Sequence, residues 1–468
     1  ALEEGGPRGF LLANGTGTGK TYVYAGFLRA VEALGLPAHL VVPNEDLARQ
    51  TREVLSAVGA SPELATYGTL DPERARGRVL VLDEAHLAKR AFRSERGKRA
   101  WRAVERSLFA LYATATPFDR PWESEYLLVP SEALEAWGGG EFEDFMARFK
   151  VYAREGFGGA WEWYFAGGPE DLFAFHDHLR ARGFMTRRLY VPPEGLVEHE
   201  VPFVEVPKEE KELLAEVRRR LKLAAEKAHP EERGIVMAHR TLLSRALLER
   251  MKLRATLPLI EDLLAEGWHV ALFLQYRADR ELDLSTPESV LAFLAEAEER
   301  GERVLARHLA LALAGLRLTL PSPTALVRAH FEARLGDTLA FYTGAESQGA
   351  LRRAKEAWNE GRVRLLVATA AKGGTGLSLH DTTGRRPTAQ VVLTLPWTGS
   401  QLDQVLGRVV RVGLASPVRV LLPAAPVPAE RRLAAVVTES LRTLGHAVRG
   451  GRMPVPERVV RAFLHDLA

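Results

Sequence analysis

The stretch Asn14-Gly15-Thr16-Gly17-Thr18-Gly19-Lys20-Thr21 limits what this chain can fold into more than any other. An apolar run, residues 9–13, precedes it, and a helix-like pattern, residues 22–34, follows it. Strand, glycine-rich turn and helix, in that order, form the local context of a loop that cradles phosphates. Glycines let backbone N–H groups converge on an anion, and the helix start adds the positive end of its dipole. In such a loop Gly15, Thr16, Gly17, Thr18 and Gly19 line the anion, and Lys20 reaches the β- and γ-phosphates of ATP. The Thr21 hydroxyl then holds Mg2+. The strict pattern has glycine where this chain has Asn14. The bland alternative is a Gly/Thr-rich turn with an exposed lysine, so downstream residues decide.

Residues 38–43 read as a short buried strand ending in Pro43, and residues 45–58 as a helix. An apolar run, residues 78–82, leads into Asp83-Glu84-Ala85-His86. Strands alternating with helices argue an α/β fold with a parallel sheet covered on both faces. Ligands of such sheets lie beyond the carboxyl ends of the strands, so the glycine loop and Asp83-Glu84 are expected on one edge. There Asp83 can hold the Mg2+ that bridges the phosphates, and Glu84 can orient or deprotonate the attacking water.

At 468 residues the chain is too long for one core, and two to four domains are expected. It has no run of about eighteen apolar residues and no signal peptide, so neither a membrane span nor secretion is expected. Zero cysteines removes disulfides and thiolate zinc sites and fits a reducing interior. A cytoplasmic location is the expectation. With 63 Lys and Arg against 60 Asp and Glu, the net charge of +3 does not demand nucleic acid. Any such binding must come from local patches. The chain opens on Ala1 rather than Met, which leaves room for a preceding piece.

Together, residues 14–21, Asp83-Glu84-Ala85-His86 and Ala113-Thr114-Ala115-Thr116-Pro117 resemble motifs I, II and III of superfamily 2 helicases and translocases. Val42-Pro43 resembles motif Ia, and Thr66-Tyr67-Gly68-Thr69 resembles motif Ib. Further on, residues 371–381, with Lys372 and Gly376, resemble motif V, and residues 404–411 match the motif VI pattern Q-x-x-G-R-x-x-R. Arg408 and Arg411, three apart, are expected on one helical face, where two guanidiniums can stabilise charge at a γ-phosphate. The resemblance implies nucleotide contacts from Gly376 and Gln404, and a coupling role for His86, Thr114 and Thr116. It implies a nucleic-acid backbone track along Pro43, Thr66, Tyr67, Thr343, Gly344, Thr369 and Lys372. Residues 387–411 most resemble the strawberry-notch branch and related phage helicase-like proteins, with Swi/Snf remodellers as near relatives. An adenine-reading glutamine often lies upstream of the loop in this family; none of the thirteen residues given before Asn14 is glutamine, so specificity for the base is unsupported.

The resemblance implies two RecA-like lobes, residues 1–130 and 251–445. A mainly helical accessory region, residues 131–250, is expected between them. Strand-like runs near 268–276, 337–344 and 363–369 mark the second lobe, with a helical insertion at about 279–335. Residues 446–468 form a basic tail, which either adds phosphate contacts through Arg449, Arg452, Arg458 and Arg461 or is a solvated terminus. The aromatic cluster Trp161-Glu162-Trp163-Tyr164-Phe165 either stacks unpaired bases or fills a small core. The expected function is that of an ATP- and Mg2+-dependent DNA helicase or translocase, working as a monomer away from membranes. Single- and double-stranded DNA both fit, and RNA stays open. A duplex translocase without strand separation is the near alternative; an ATP-gated clamp with little turnover is the distant one.

Overall fold

The computed structural model describes residues 6–89, 94–155, 161–275, 278–294, 312–313, 316, 318–370 and 377–463. The chain forms two compact units. The first comprises Ala1–Val191, Thr398–Gly407 and Thr438–Pro454; the second comprises Pro192–Trp397, Arg408–Val437 and Val455–Ala468. Each is built on a six-stranded, wholly parallel sheet with flanking helices, which is the α/β class expected.

The strands of the first unit are β1 (Gly9–Leu12), β2 (Ala38–Val42), β3 (Glu63–Thr66), β4 (Val79–Asp83), β5 (Phe109–Ala113), the hairpin β6 (Val151–Glu155) and β7 (Trp161–Phe165), and β8 (Met185–Thr186). The sheet runs β3-β2-β4-β5-β1-β8. Every residue of β2, β4 and β5 is buried, as their unbroken apolar runs require for a sheet covered on both sides. One face packs Leu40, Val42 and Val81 against Tyr24 and Leu28 of the helix Lys20–Ala33 and Leu55 of the helix Glu45–Val58. The opposite face packs Leu11, Leu80 and Tyr112 against Ala100 and Val104 of the helix Glu95–Arg106.

This unit does not end at residue 130. Beyond it the backbone continues to pair with β1: Leu11 N donates to Phe184 O at 2.7 Å, Ala13 N to Thr186 O at 2.8 Å and Gly15 N to Arg188 O at 2.8 Å. Strand β1 would otherwise present an unpaired edge beside the glycine loop, and β8 covers it. The aromatic cluster divides between core and surface. On β7, Trp163 and Phe165 pack on the core, while Trp161 is 73% exposed.

The second unit holds β9 (Val197–Glu200), β10 (His269–Leu274), the short antiparallel pair β11 (Leu282–Asp283) and β12 (Thr319–Leu320), β13 (Leu339–Tyr342), β14 (Leu365–Thr369), β15 (Thr388–Val392) and β16 (Val418–Leu421). Its sheet runs β13-β14-β10-β15-β16-β9. Two long helices, Lys208–Lys227 and Pro230–Ala265, share a core with the expected insertion: Val217, Leu221 and Leu247 pack with Leu282, Val290 and Phe293. The accessory region is therefore not one body. Its earlier part belongs to the first unit, and its later helices build the second unit together with the insertion.

The C-terminal segment is not a solvated tail. Leu444, Ala447 and Val448 are buried in the core of the first unit, and Val459, Val460 and Phe463, which belong to the second, are buried as well. Among the described residues no helix is long and apolar enough to cross a membrane.

Candidate nucleotide site

Strands β4, β5 and β1 are adjacent and parallel, so the segments that leave their carboxyl ends emerge side by side. Those segments are Asp83 to His86, Thr114 to Thr116, and the glycine loop. Sheet order alone thus gathers the three motifs at one edge.

Within the loop, Gly17 and Gly19 have φ of 72° and 81°, a left-handed conformation that costs glycine little and a side-chain-bearing residue much. The Thr18 hydroxyl donates to Gly15 O at 2.7 Å and closes the turn. The Lys20 ammonium folds onto the loop, donating to Asn14 O at 3.1 Å and Gly15 O at 3.3 Å. Its charge is thereby held at the glycine loop, at the start of the helix Lys20–Ala33, a position that suits a polyphosphate. Asn14 itself is buried and contributes a carbonyl, so the departure from glycine at this position leaves the lysine's anchorage in place.

Tyr24 organises the metal-binding candidates. One turn beyond Lys20, its buried phenol donates to Asp83 Oδ2 at 3.3 Å and also bonds the Thr21 side chain. From the other side the Tyr67 hydroxyl donates to Asp83 O at 3.0 Å. Burial, and then the neighbouring Glu84, push the Asp83 carboxyl up to about 7 against the opposing charge of Lys20. A buried acid held beside a second acid is short of positive charge, and the donor set Thr21 hydroxyl plus Asp83 carboxylate fits Mg2+, which takes one or two protein oxygens and completes its shell with water and phosphate. Tyr67 was expected on a nucleic-acid track. It is instead fully enclosed, and its hydroxyl braces the backbone of Asp83.

Glu84 sits at φ 49°, one of three residues other than glycine with positive φ among those described. Such backbone costs about 1–3 kcal/mol and persists only where the surroundings enforce it. Here it turns the Glu84 carboxylate towards His86, whose Nδ1 lies 3.3 Å from Glu84 Oε2 and 3.1 Å from Thr114 Oγ1. Gln404 Nε2 donates to Thr116 Oγ1 at 2.9 Å and faces His86 Nε2 at 3.3 Å. One tautomer satisfies the whole set: the proton on Nδ1 serves Glu84 and Thr114, and the bare Nε2 accepts from Gln404. Thr116 N closes the relay by donating to Thr114 Oγ1 at 3.2 Å. The sequence-predicted group of Glu84, His86, Thr114, Thr116 and Gln404 is brought together.

The helix Gly399–Leu406 that carries Gln404 also meets the loop itself. Thr16 Oγ1 donates to Asp403 Oδ2 at 3.3 Å, and Asp403 is paired with the Arg449 guanidinium at 2.6 Å. A Cβ added at Gly407 would lie 2.2 Å from Thr16 Cγ2, so this close approach needs glycine. Arg449, expected as a tail cation, is an internal ion-pair partner. Arg187 donates to His176 Nε2 at 3.1 Å and to the Arg449 carbonyl.

Arg408 and Arg411 are placed differently from expectation. The helix stops at Leu406 with Gly407 as its cap, and Arg408 and Arg411 follow in turns rather than on a helical face. Arg408 is buried in the second unit and donates to Leu377 O at 3.3 Å; burial also lowers the basicity of Arg411. On the expected track, Pro43 and Thr66 lie at the carboxyl ends of the adjacent strands β2 and β3, and Thr343, Gly344 and Thr369 at those of β13 and β14. Thr66, Thr343 and Thr369 are buried, whereas Gly344 is exposed. Lys372 and Gly376 lie outside the described residues.

Asp119 was missed altogether. It is buried, yet ionised: burial raises its pKa, but the charge of Lys89 and hydrogen bonds from Lys89, Ser440 and Ser400 outweigh that and hold it at about 2, below its ordinary 3.8. A depressed carboxylate stabilises the fold above its unfolded pKa and loses that contribution as pH falls through its folded one. The first unit should therefore shed about 2 kcal/mol of stability between pH ~4 and ~2 from this residue alone. Acid titration of unfolding, compared with Asp119→Asn, checks this; identical acid profiles would exclude it.

No protein-family model matches the chain, and no curated protein matches it. Among solved structures, the chain is similar to a Sulfolobus solfataricus SWI2/SNF2 ATPase core in complex with dsDNA, at 15% identity over 98% of this chain and 92% of that one, with a TM-score of 0.33. It is also similar to S. cerevisiae Dbp5 bound to RNA and ADP BeF3, at 12% identity over 99% and 90%, with a TM-score of 0.42. At these identities and TM-scores nothing about activity is inherited, and the functional reading stands on this chain's own residues.

Proposed function

We propose that the protein is an ATP-dependent nucleic-acid motor of the superfamily 2 helicase and translocase kind. One observation carries the reading: a phosphate-loop lysine, an Asp-Glu pair and a Thr-x-Thr relay meet at the carboxyl ends of three adjacent parallel strands. Bound ATP and Mg2+ supply the scissile phosphoanhydride and the positive charge beside it. The loop from Gly15 to Lys20 binds the phosphates; Thr21 and Asp83 hold the metal; Glu84 orients water and accepts its proton. His86, linked to Thr114 and through Gln404 to Thr116, reports the state of Glu84 to the rest of the first unit. The resemblance of residues 404–411 to motif VI supports assigning Arg408 and Arg411 to the charge that develops at the γ-phosphate, and that of residues 387–411 supports kinship with the strawberry-notch branch. Pro43, Thr66, Thr343, Gly344, Thr369 and Lys372 remain the proposed backbone contacts, so preference for base sequence should be low.

The test is the ATPase rate with single-stranded DNA, double-stranded DNA and RNA, run beside unwinding of a forked duplex. Stimulation with unwinding identifies a helicase. Strong duplex stimulation without unwinding identifies a translocase. No stimulation by any nucleic acid would reject the motor reading.

A further inference from the structure

Gln404 enters the His86–Thr116 relay from a helix of eight residues, Gly399–Leu406, which reaches the first unit from far along the chain. Something must hold so short a helix in register with its targets. Asp119, three residues past Thr116, does so. Its Oδ1 accepts from Ser400 N at 3.2 Å, in the first turn of that helix, and from Ser440 Oγ at 2.5 Å. Ser440 Oγ in turn accepts from Gly399 N at 2.8 Å. Asp119 Oδ2 is ion-paired with Lys89, which lies three residues past His86 and also meets Glu123 at 3.3 Å. Glu123 Oε2 accepts from Asp119 N at 2.7 Å, which fixes the carboxylate's own backbone. A negative charge at a helix start is favourable, and two of the helix's otherwise unpaired N–H groups are satisfied directly or through one serine. A single enclosed carboxylate thus ties the segment after His86, the segment after Thr116 and the helix bearing Gln404 to one point.

We propose that Asp119 is a positioning residue which sets the coupling of nucleic-acid engagement to ATP turnover, by holding the Gln404 helix against the His86–Thr116 relay. The proposal rests on the motor reading above. Asp119 has no hydrogen bond to the loop or to Glu84, and its bonds to Ser400 and Ser440 direct its effect to the helix that carries Gln404.

The experiment uses the full chain and measures ATP KM, and kcat with and without duplex DNA, for the wild type, Asp119→Asn, Gln404→Ala and the double variant. Asp119→Asn should leave ATP KM nearly unchanged and cut DNA-stimulated kcat by about 2- to 30-fold, the span by which residues outside both sites modulate coupling. In the Gln404→Ala background the same substitution should add nothing, since both act on one interaction. Full stimulation of Asp119→Asn, or losses that multiply in the double variant, would overturn the proposal. If Asp119→Asn does not fold, Ser440→Ala, which removes one donor, replaces it: a smaller fall in stimulation, absent in the Gln404→Ala background, is expected, and unchanged stimulation overturns it. A wild-type protein that no nucleic acid stimulates would instead overturn the motor reading.

Discussion

Glu84→Gln should bind ATP as tightly as the wild type and turn it over about 10²–10⁴ times more slowly, the usual contribution of a positioned general base. The amide matches the carboxylate in size and can keep the contact with His86, but it cannot accept a proton from water. The backbone supports this choice of residue: φ of 49° at Glu84 is maintained although glycine would adopt it at lower cost, which is the behaviour of a position where geometry serves chemistry. Phosphate release under single-turnover conditions, alongside binding of a fluorescent ATP analogue, gives both quantities. A variant that hydrolyses ATP at the wild-type rate removes Glu84 from the role of base.

Lys20→Ala should act at the earlier step and lose ATP binding. Truncating one member of a desolvated charge pair costs about 2–5 kcal/mol, which is roughly 30- to several-thousandfold in affinity. The turn is closed by the Thr18 hydroxyl on Gly15 O and by the left-handed Gly17 and Gly19, none of which uses the Lys20 side chain, so the loop itself should survive the change. Thermal unfolding with and without MgATP separates the two effects, because a ligand raises the melting temperature only where it binds. Wild-type protein should be shifted upwards and Lys20→Ala should not. An equal shift in both would show that the loop is not the triphosphate site.

How far the site could be read in advance depended on the distance between its parts. The loop and Asp83-Glu84 are contiguous, and alternating strands and helices place them on one edge by rule. Tyr24 was legible in principle: it falls four residues after Lys20, on the same face of a helix, but that spacing is equally the one of ordinary core. Asp403, Arg449 and Asp119 carried no such signal. Thr16 and Asp403 are 387 residues apart, and Ser440 and Asp119 are 321 apart, so only the return path of the chain pairs them. The helical face expected for Arg408 and Arg411 failed for a local reason: Gly407 ends the helix where the chain passes closest to Thr16. Strand β8 was hidden because two residues in a Gly-punctuated region carry no period, and only the open edge of β1 gives them a place.

By itself the sequence determined the α/β class, the glycine-loop geometry and the acids beside it, because strand alternation, glycine conformation and helix starts are local properties of the chain. The tertiary structure alone decided that Tyr67 braces Asp83 from inside, that Arg449 is an ion-pair partner rather than a free cation, and that a buried Asp119 anchors the helix bearing Gln404. Those assignments depend on which side chains meet after the chain has crossed between sheets and come back, and a buried charge is stable only where that return supplies its partners.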